Sequence, residues 1–214
     1  MNPAFNHKSL LLLTCLLLPS GANGQVIDLL AAGKDTWQQF DDTRWRIEGG
    51  ELIGTTAVFD GDKTDPAASA FLVSRQTFGG NVTVDLEVGF SAGRYLGVYL
   101  DFDADLQSGI WMATGHPLPE NAAGNDVERA YIKTVDESFW VVRATAELPI
   151  VPGESIDLRF ARRGETYEIR HGDTLIATYR KPGAYPPGRI QLRLTNAQAE
   201  VHRLIVTADS VHGT

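Results

Sequence analysis

The chain has 214 residues, 43% of them hydrophobic and 21% charged, with a formal net charge of -8. That length suits one ordinary domain with a sizeable core. The acidic balance argues against nucleic acid and anionic membrane surfaces as partners, because both need basic patches.

In chain order, the first element reads as a leader. Lys8 supplies a positive charge, residues 10–18 form an apolar run around Cys15, and Pro19 ends it. Ala22, Asn23 and Gly24 then offer a small-residue cleavage pattern. The run is shorter than the roughly 20 residues that a spanning helix needs. The expectation is a cleaved export signal over residues 1–24 and one domain over 25–214, periplasmic or extracellular. The alternative is a lipoprotein acylated at Cys15, which Thr14 before it fits poorly. Cys15 is the only cysteine, so the exported part would hold no disulfide and must stand on its core. An exported chain without disulfides points to a bacterial setting. No second apolar stretch is long enough to span a membrane.

From residue 25 onward the dominant pattern has period two. Val82, Val84, Leu86, Val88 and Phe90 alternate with Thr83, Asp85, Glu87 and Gly89. Leu96, Val98, Leu100 and Phe102 alternate with Tyr95, Gly97, Tyr99, Asp101 and Asp103. The same rhythm returns at Ile156, Leu158 and Phe160 and at Ile190, Leu192 and Leu194. Such alternation predicts strands with one buried face. Glycine-bearing turns at residues 49–50, 79–81, 91–93, 163–164 and 171–173 separate the runs as short connections. No sustained helical stripe appears. The expected fold is all-β, a two-sheet antiparallel β-sandwich of the jelly-roll kind. Residues 54–70 and 113–130 are long, irregular loops of the sort that carry function.

Nucleotide, zinc and thiol motifs are absent, and the histidines lack metal-ligand spacing. What remains is the polar side of two adjacent strands. If residues 82–90 and 95–102 form a hairpin, Thr83, Asp85, Glu87, Tyr95, Tyr99, Asp101 and Asp103 share one surface. Tyrosines beside carboxylates suit sugar recognition, a flat apolar platform next to hydrogen-bond acceptors. Glycosidases need two carboxyls about 5 to 9 Å apart. Asp101 with Asp103, or Glu87 with Asp101 across the hairpin, meets that spacing, which makes Glu87, Asp101 and Asp103 the candidate catalytic groups. Asp85, Tyr95, Tyr99, Trp111 and His116 are the candidate binding residues, the last two at the rim. Trp37, Trp45 and Trp140 read as packing residues among apolar neighbours. No cofactor is called for. Asp101, Asp103 and Asp105 have the spacing of a calcium loop, so structural calcium stays open, but Leu106 stands where that loop needs glycine.

Three segments together resemble a known family. Trp45 to Gly54 (WRIEGGELIG) resembles its opening; Phe78 to Glu87 (FGGNVTVDLE) is followed by Gly97 to Leu100; Pro187 to Leu192 precedes a last strand at His202 to Val206. Their order is similar to the 3-keto-disaccharide hydrolase-like domains of the concanavalin A-like lectin and glucanase group. The resemblance implies a jelly roll whose concave sheet binds carbohydrate, and no catalytic residue is carried over from it. Fold alone does not fix function. The expected partner is a carbohydrate. The expected role is a glycoside hydrolase with paired carboxylates, or alternatively a non-catalytic carbohydrate-binding or adhesive module.

Overall fold

The computed structural model describes residues 24–38, 40–56, 66–93, 95–103, 108–115, 129–136, 139–151, 153–183 and 186–213. Residues 1–23 of the proposed leader, His116 and Asp105 lie outside them. Thirteen strands follow in chain order among the described residues: β1 (Gln25–Asp28), β2 (Trp45–Glu48), β3 (Glu51–Thr55), β4 (Ser69–Ala92), β5 (Tyr95–Asp103), β6 (Ser108–Thr114), β7 (Arg129–Asp136), β8 (Phe139–Glu147), β9 (Ser155–Arg163), β10 (Thr166–His171), β11 (Thr174–Arg180), β12 (Gly188–Thr195) and β13 (Gln198–His212). All ladders are antiparallel. No described helix is long and apolar enough to cross a membrane.

The strands form two layers joined by β4. The first half of β4 pairs with β12, and the front sheet continues through β5, β6, β7 and β8. The second half of β4 runs between β9 and β13, and the back sheet continues outward to β10 and β11 on one side. On the other side β13 carries β3 and β1. Alternation explains the layering. Leu96, Val98, Leu100, Met112 and Leu192 of the front sheet join Val84, Leu86, Phe160, Leu204 and Val206 of the back sheet in one buried core. Leu-, Val- and Ile-rich inner faces of two sheets interdigitate in this way when both sheets present period-two strands. Trp37 and Trp45 are buried in the same core, as the sequence suggests.

The expected hairpin between residues 82–90 and 95–102 does not form. The first segment pairs with β13 and β9, the second with β12 and β6. The turn at residues 91–93 therefore passes from one sheet to the other. Gly79 and Gly80 differ from expectation as well. They lie within β4, where the strand leaves one layer for the other. Gly80 has φ +72, and a Cβ there would come within 2.5 Å of Asp209 Cβ, so only glycine suits this crossing.

Candidate functional site

The outer surface of the front sheet carries a second apolar cluster, separate from the core. Tyr95, Tyr99 and Phe102 of β5, Trp111 and Ala113 of β6, and Tyr131 and Val135 of β7 compose it. Register places them side by side: Tyr99 is paired with Trp111 and with Gln191, and Tyr131 with Ala113. Trp111 is central and fully buried. Its ring centroid lies 4.5 Å from that of Tyr99, 6.1 Å from Tyr95 and 6.1 Å from Trp140 of β8. Gly97 makes this possible, because a Cβ there would come within 2.2 Å of the Trp111 indole.

Two cations lie against the cluster. The Arg193 guanidinium carbon of β12 is 5.1 Å from the Phe71 ring centroid, 5.9 Å from Trp111 and 5.7 Å from Trp140. Lys133 Nζ of β7 is 4.5 Å from the Tyr131 centroid and 5.6 Å from Trp140. Cations over ring faces gain from the ring quadrupole. Burial pushes the Tyr95, Tyr99 and Tyr131 hydroxyls above their ordinary pKa, while the positive Arg193 pulls the other way. These hydroxyls therefore remain neutral donors at neutral pH. Trp140 and Phe71 stay open to solvent, 41% and 44% exposed. The face thus offers two exposed rings around one guanidinium, on a floor of buried aromatics.

The sequence-predicted residues divide between three places. Tyr95, Tyr99 and Trp111 come together on the front face, with Trp111 at its centre instead of the rim. Asp85 and Glu87 lie on the far side of the molecule, on the outer surface of the back sheet. Asp85 accepts from Arg159 Nε at 2.6 Å, and Glu87 from Arg203 Nη1 at 3.2 Å. Asp157 also pairs with Arg203, so these acids form a charge ladder with basic partners. They share no surface with the tyrosines, because the hairpin that would have joined them is absent.

Asp101 is the third case. Alternation sends it outward with Tyr99 and sends Phe102 inward, but a bulge in β5 reverses both. Asp101 takes φ +58 and turns into the space between the sheets. There Arg162 of β9 forms an ion pair with it, and Tyr167 of β10 donates a hydrogen bond at 2.8 Å. The side chains of Asp101 and Arg162 are 1% and 2% exposed, so the pair is enclosed. Burial raises the Asp101 carboxyl pKa, opposed by the Arg162 charge and the Tyr167 hydrogen bond. Phe102 takes the outward position against Tyr99, with centroids 5.2 Å apart. Asp103 lies beyond the bulge and lines a recess with Asp101, Thr77, Pro187, Gly188 and Arg189. Among the described residues no group of three His, Cys, Asp or Glu side chains is placed to hold a metal.

Sequence reasoning missed Trp140, Phe71, Tyr131, Lys133 and Arg193. Residues 69–78 and 188–195 give the signal for two of them. Once those runs are strands, Phe71 and Arg193 fall on the face opposite Leu72 and Leu192.

The strand order defines a two-sheet antiparallel β-sandwich of the jelly-roll kind. No known protein family matches the chain in sequence, and no curated protein does. Solved structures share its fold. The carbohydrate-binding module CBM66 from Bacillus subtilis superimposes with a TM-score of 0.56 at 15% identity, over 87% of this chain and 93% of that one. A β-1,3-1,4-glucanase (lichenase) derived from a mouse hindgut metagenome gives 0.60 at 10%, over 88% and 100%. A β-glucanase of Bacillus licheniformis gives 0.60 at 11%, over 88% and 99%. These likenesses show the jelly-roll fold, and none singles out the 3-keto-disaccharide hydrolase-like family.

Proposed function

We propose that the chain is an exported, non-catalytic carbohydrate-binding module whose front sheet receives a saccharide. The observation that carries this reading is the pair of exposed rings, Trp140 and Phe71, flanking Arg193 above a buried aromatic floor. Sugar rings present C–H faces that pack on such rings, while their hydroxyls accept from groups like the guanidinium. The company of a carbohydrate-binding module and two glucanases among similar structures supports a carbohydrate ligand. The hydrolase alternative needs two carboxyls facing one bond. Asp85 and Glu87 are on the opposite surface and Asp101 is enclosed, so support falls on binding. The leader-like pattern around Lys8 supports an exported location.

The test is a titration of the full chain against a panel of oligosaccharides, followed by product analysis on any that bind. Trp140→Ala is expected to weaken binding about tenfold, near 1.4 kcal/mol, as for an exposed aromatic anchor. Asp85→Asn and Glu87→Gln are expected to leave binding unchanged. Release of shortened sugar that either carboxylate variant abolishes would restore the hydrolase reading.

A further inference from the structure

We propose, on the basis of the saccharide reading above, that the ligand is an anionic saccharide whose carboxylate or sulfate group docks on Arg193 between Phe71 and Trp140. Arg193 differs from five arginines of the back sheet. Arg159, Arg162, Arg170, Arg180 and Arg203 each hold a carboxylate. Among the described residues, no carboxylate lies within ion-pair distance of Arg193. Its Nε donates to Thr195 Oγ1 at 3.1 Å and its Nη2 to Ser69 Oγ at 3.1 Å. Those hydroxyls are in turn 3.0 Å apart, so the guanidinium is held by a braced, neutral pair. The Tyr99 hydroxyl lies near enough for the guanidinium charge to pull its pKa down.

Every one of these partners is uncharged. A half-buried guanidinium without a counter-charge is costly unless something supplies one. The rings beside it offset part of that cost and hold the planar fork in one orientation. That orientation leaves N–H donors of the fork for a planar or tetrahedral oxyanion, which a guanidinium binds with two parallel hydrogen bonds. Phe71 and Trp140 flank the same point, so a sugar ring lying on either carries its acidic substituent to the guanidinium. Lys133, beside Tyr131 and Trp140, adds positive potential to the same face. The chain as a whole is strongly acidic, so this cationic face is a local exception to its charge. Uronic acids and sulfated sugars share the required chemistry.

The experiment titrates the full chain with an oligogalacturonate, a sulfated galactan oligosaccharide and a neutral gluco-oligosaccharide of matched length. One acidic class is expected to bind at least about tenfold tighter than the neutral one. Its affinity should fall severalfold between about 50 and about 500 mM salt, as charge pairing is screened. Which acid binds separates carboxylate from sulfate recognition. Arg193→Gln is expected to erase the preference for acid, and Arg193→Lys to keep part of it, with thermal melting confirming that each variant folds. The salt titration uses the unaltered chain and holds whatever the variants do. Equal or tighter binding of the neutral sugar, insensitive to salt, overturns the anionic ligand and leaves the saccharide reading standing. Absence of binding to all three sugars and to the wider panel overturns both.

Discussion

The residue that most separates sequence pattern from structure is Asp101. Its parity along β5 points it at solvent, and its carboxylate type points to chemistry. The left-handed backbone at φ +58 turns it inward, a conformation that Asp adopts more readily than most residues. Once inside, it can exist only with a partner. Arg162 meets it and also donates through Nε to the Gly80 carbonyl at 2.8 Å, tying β5, β9 and the β4 crossing into one network. Removing one member leaves the other charge buried and unpaired. Arg162→Met is therefore expected to cost about 3–5 kcal/mol in urea unfolding. Asp101→Asn should cost less, because asparagine tolerates the same backbone and still accepts from Tyr167. The double variant should lose less than the two single losses added together, since no charge is then stranded. Additive losses would show that the two groups do not act as a pair. Binding of sugar should survive Asp101→Asn, because its carboxylate faces away from the front sheet.

At the scale of elements, alternation made the strands legible but not their neighbours. Residues 82–90 and 95–102 are strongly periodic and only a few residues apart, which reads as a hairpin. Period two tells which side of a strand is buried; residues 82–90 obey it throughout, and residues 95–100 obey it up to the bulge at Asp101. It does not tell which strand lies alongside. One partner of each, β13 and β12, comes about a hundred residues later in the chain, and the core between the layers decides that pairing. The candidate site inherited the error. Tyr95, Tyr99 and Trp111 are legible because they lie in stretches that keep their parity, ahead of the bulge in β5 or on β6. Asp85 and Glu87 were assigned to the wrong surface because their sheet was wrong. Trp140 reads as packing because it stands in the continuous apolar run of residues 139–142. The crossing that separates the layers gives its own prediction. Gly80→Ala places a side chain at φ +72 and against Asp209, whose carboxylate accepts from the Asn81 amide N–H at 2.7 Å. The backbone alone should cost about 1–2 kcal/mol, with the clash added to it. Equilibrium unfolding of that variant measures it, and an unchanged midpoint would mean that β4 crosses without needing glycine.

Over the whole molecule, charge and aromatic content are divided between the two surfaces. The back sheet carries acids matched by Arg159 and Arg203, and the front sheet carries tyrosines and tryptophans beside Arg193 and Lys133. This division makes the alkaline limb of stability a property of the front face. Tyr95, Tyr99 and Tyr131 there, and Tyr167 beside Asp101, have their pKa raised in the fold, in each case chiefly by burial. In the unfolded chain the same groups ionise near their ordinary value of about 10. The folded state therefore holds protons that the unfolded state releases. Their contribution to stability is complete below about pH 10 and is lost as the pH climbs beyond it. Each such group steepens the fall by up to about 1.4 kcal/mol per pH unit. Urea unfolding at pH 8 and near pH 11 should show a large drop in midpoint. Tyrosinate absorbance should lag in the folded protein and appear with unfolding. Ionisation of all six tyrosines near their ordinary pKa with the fold intact would mean that the front cluster is open to water, and a sugar platform on a dry aromatic floor would lose its physical basis.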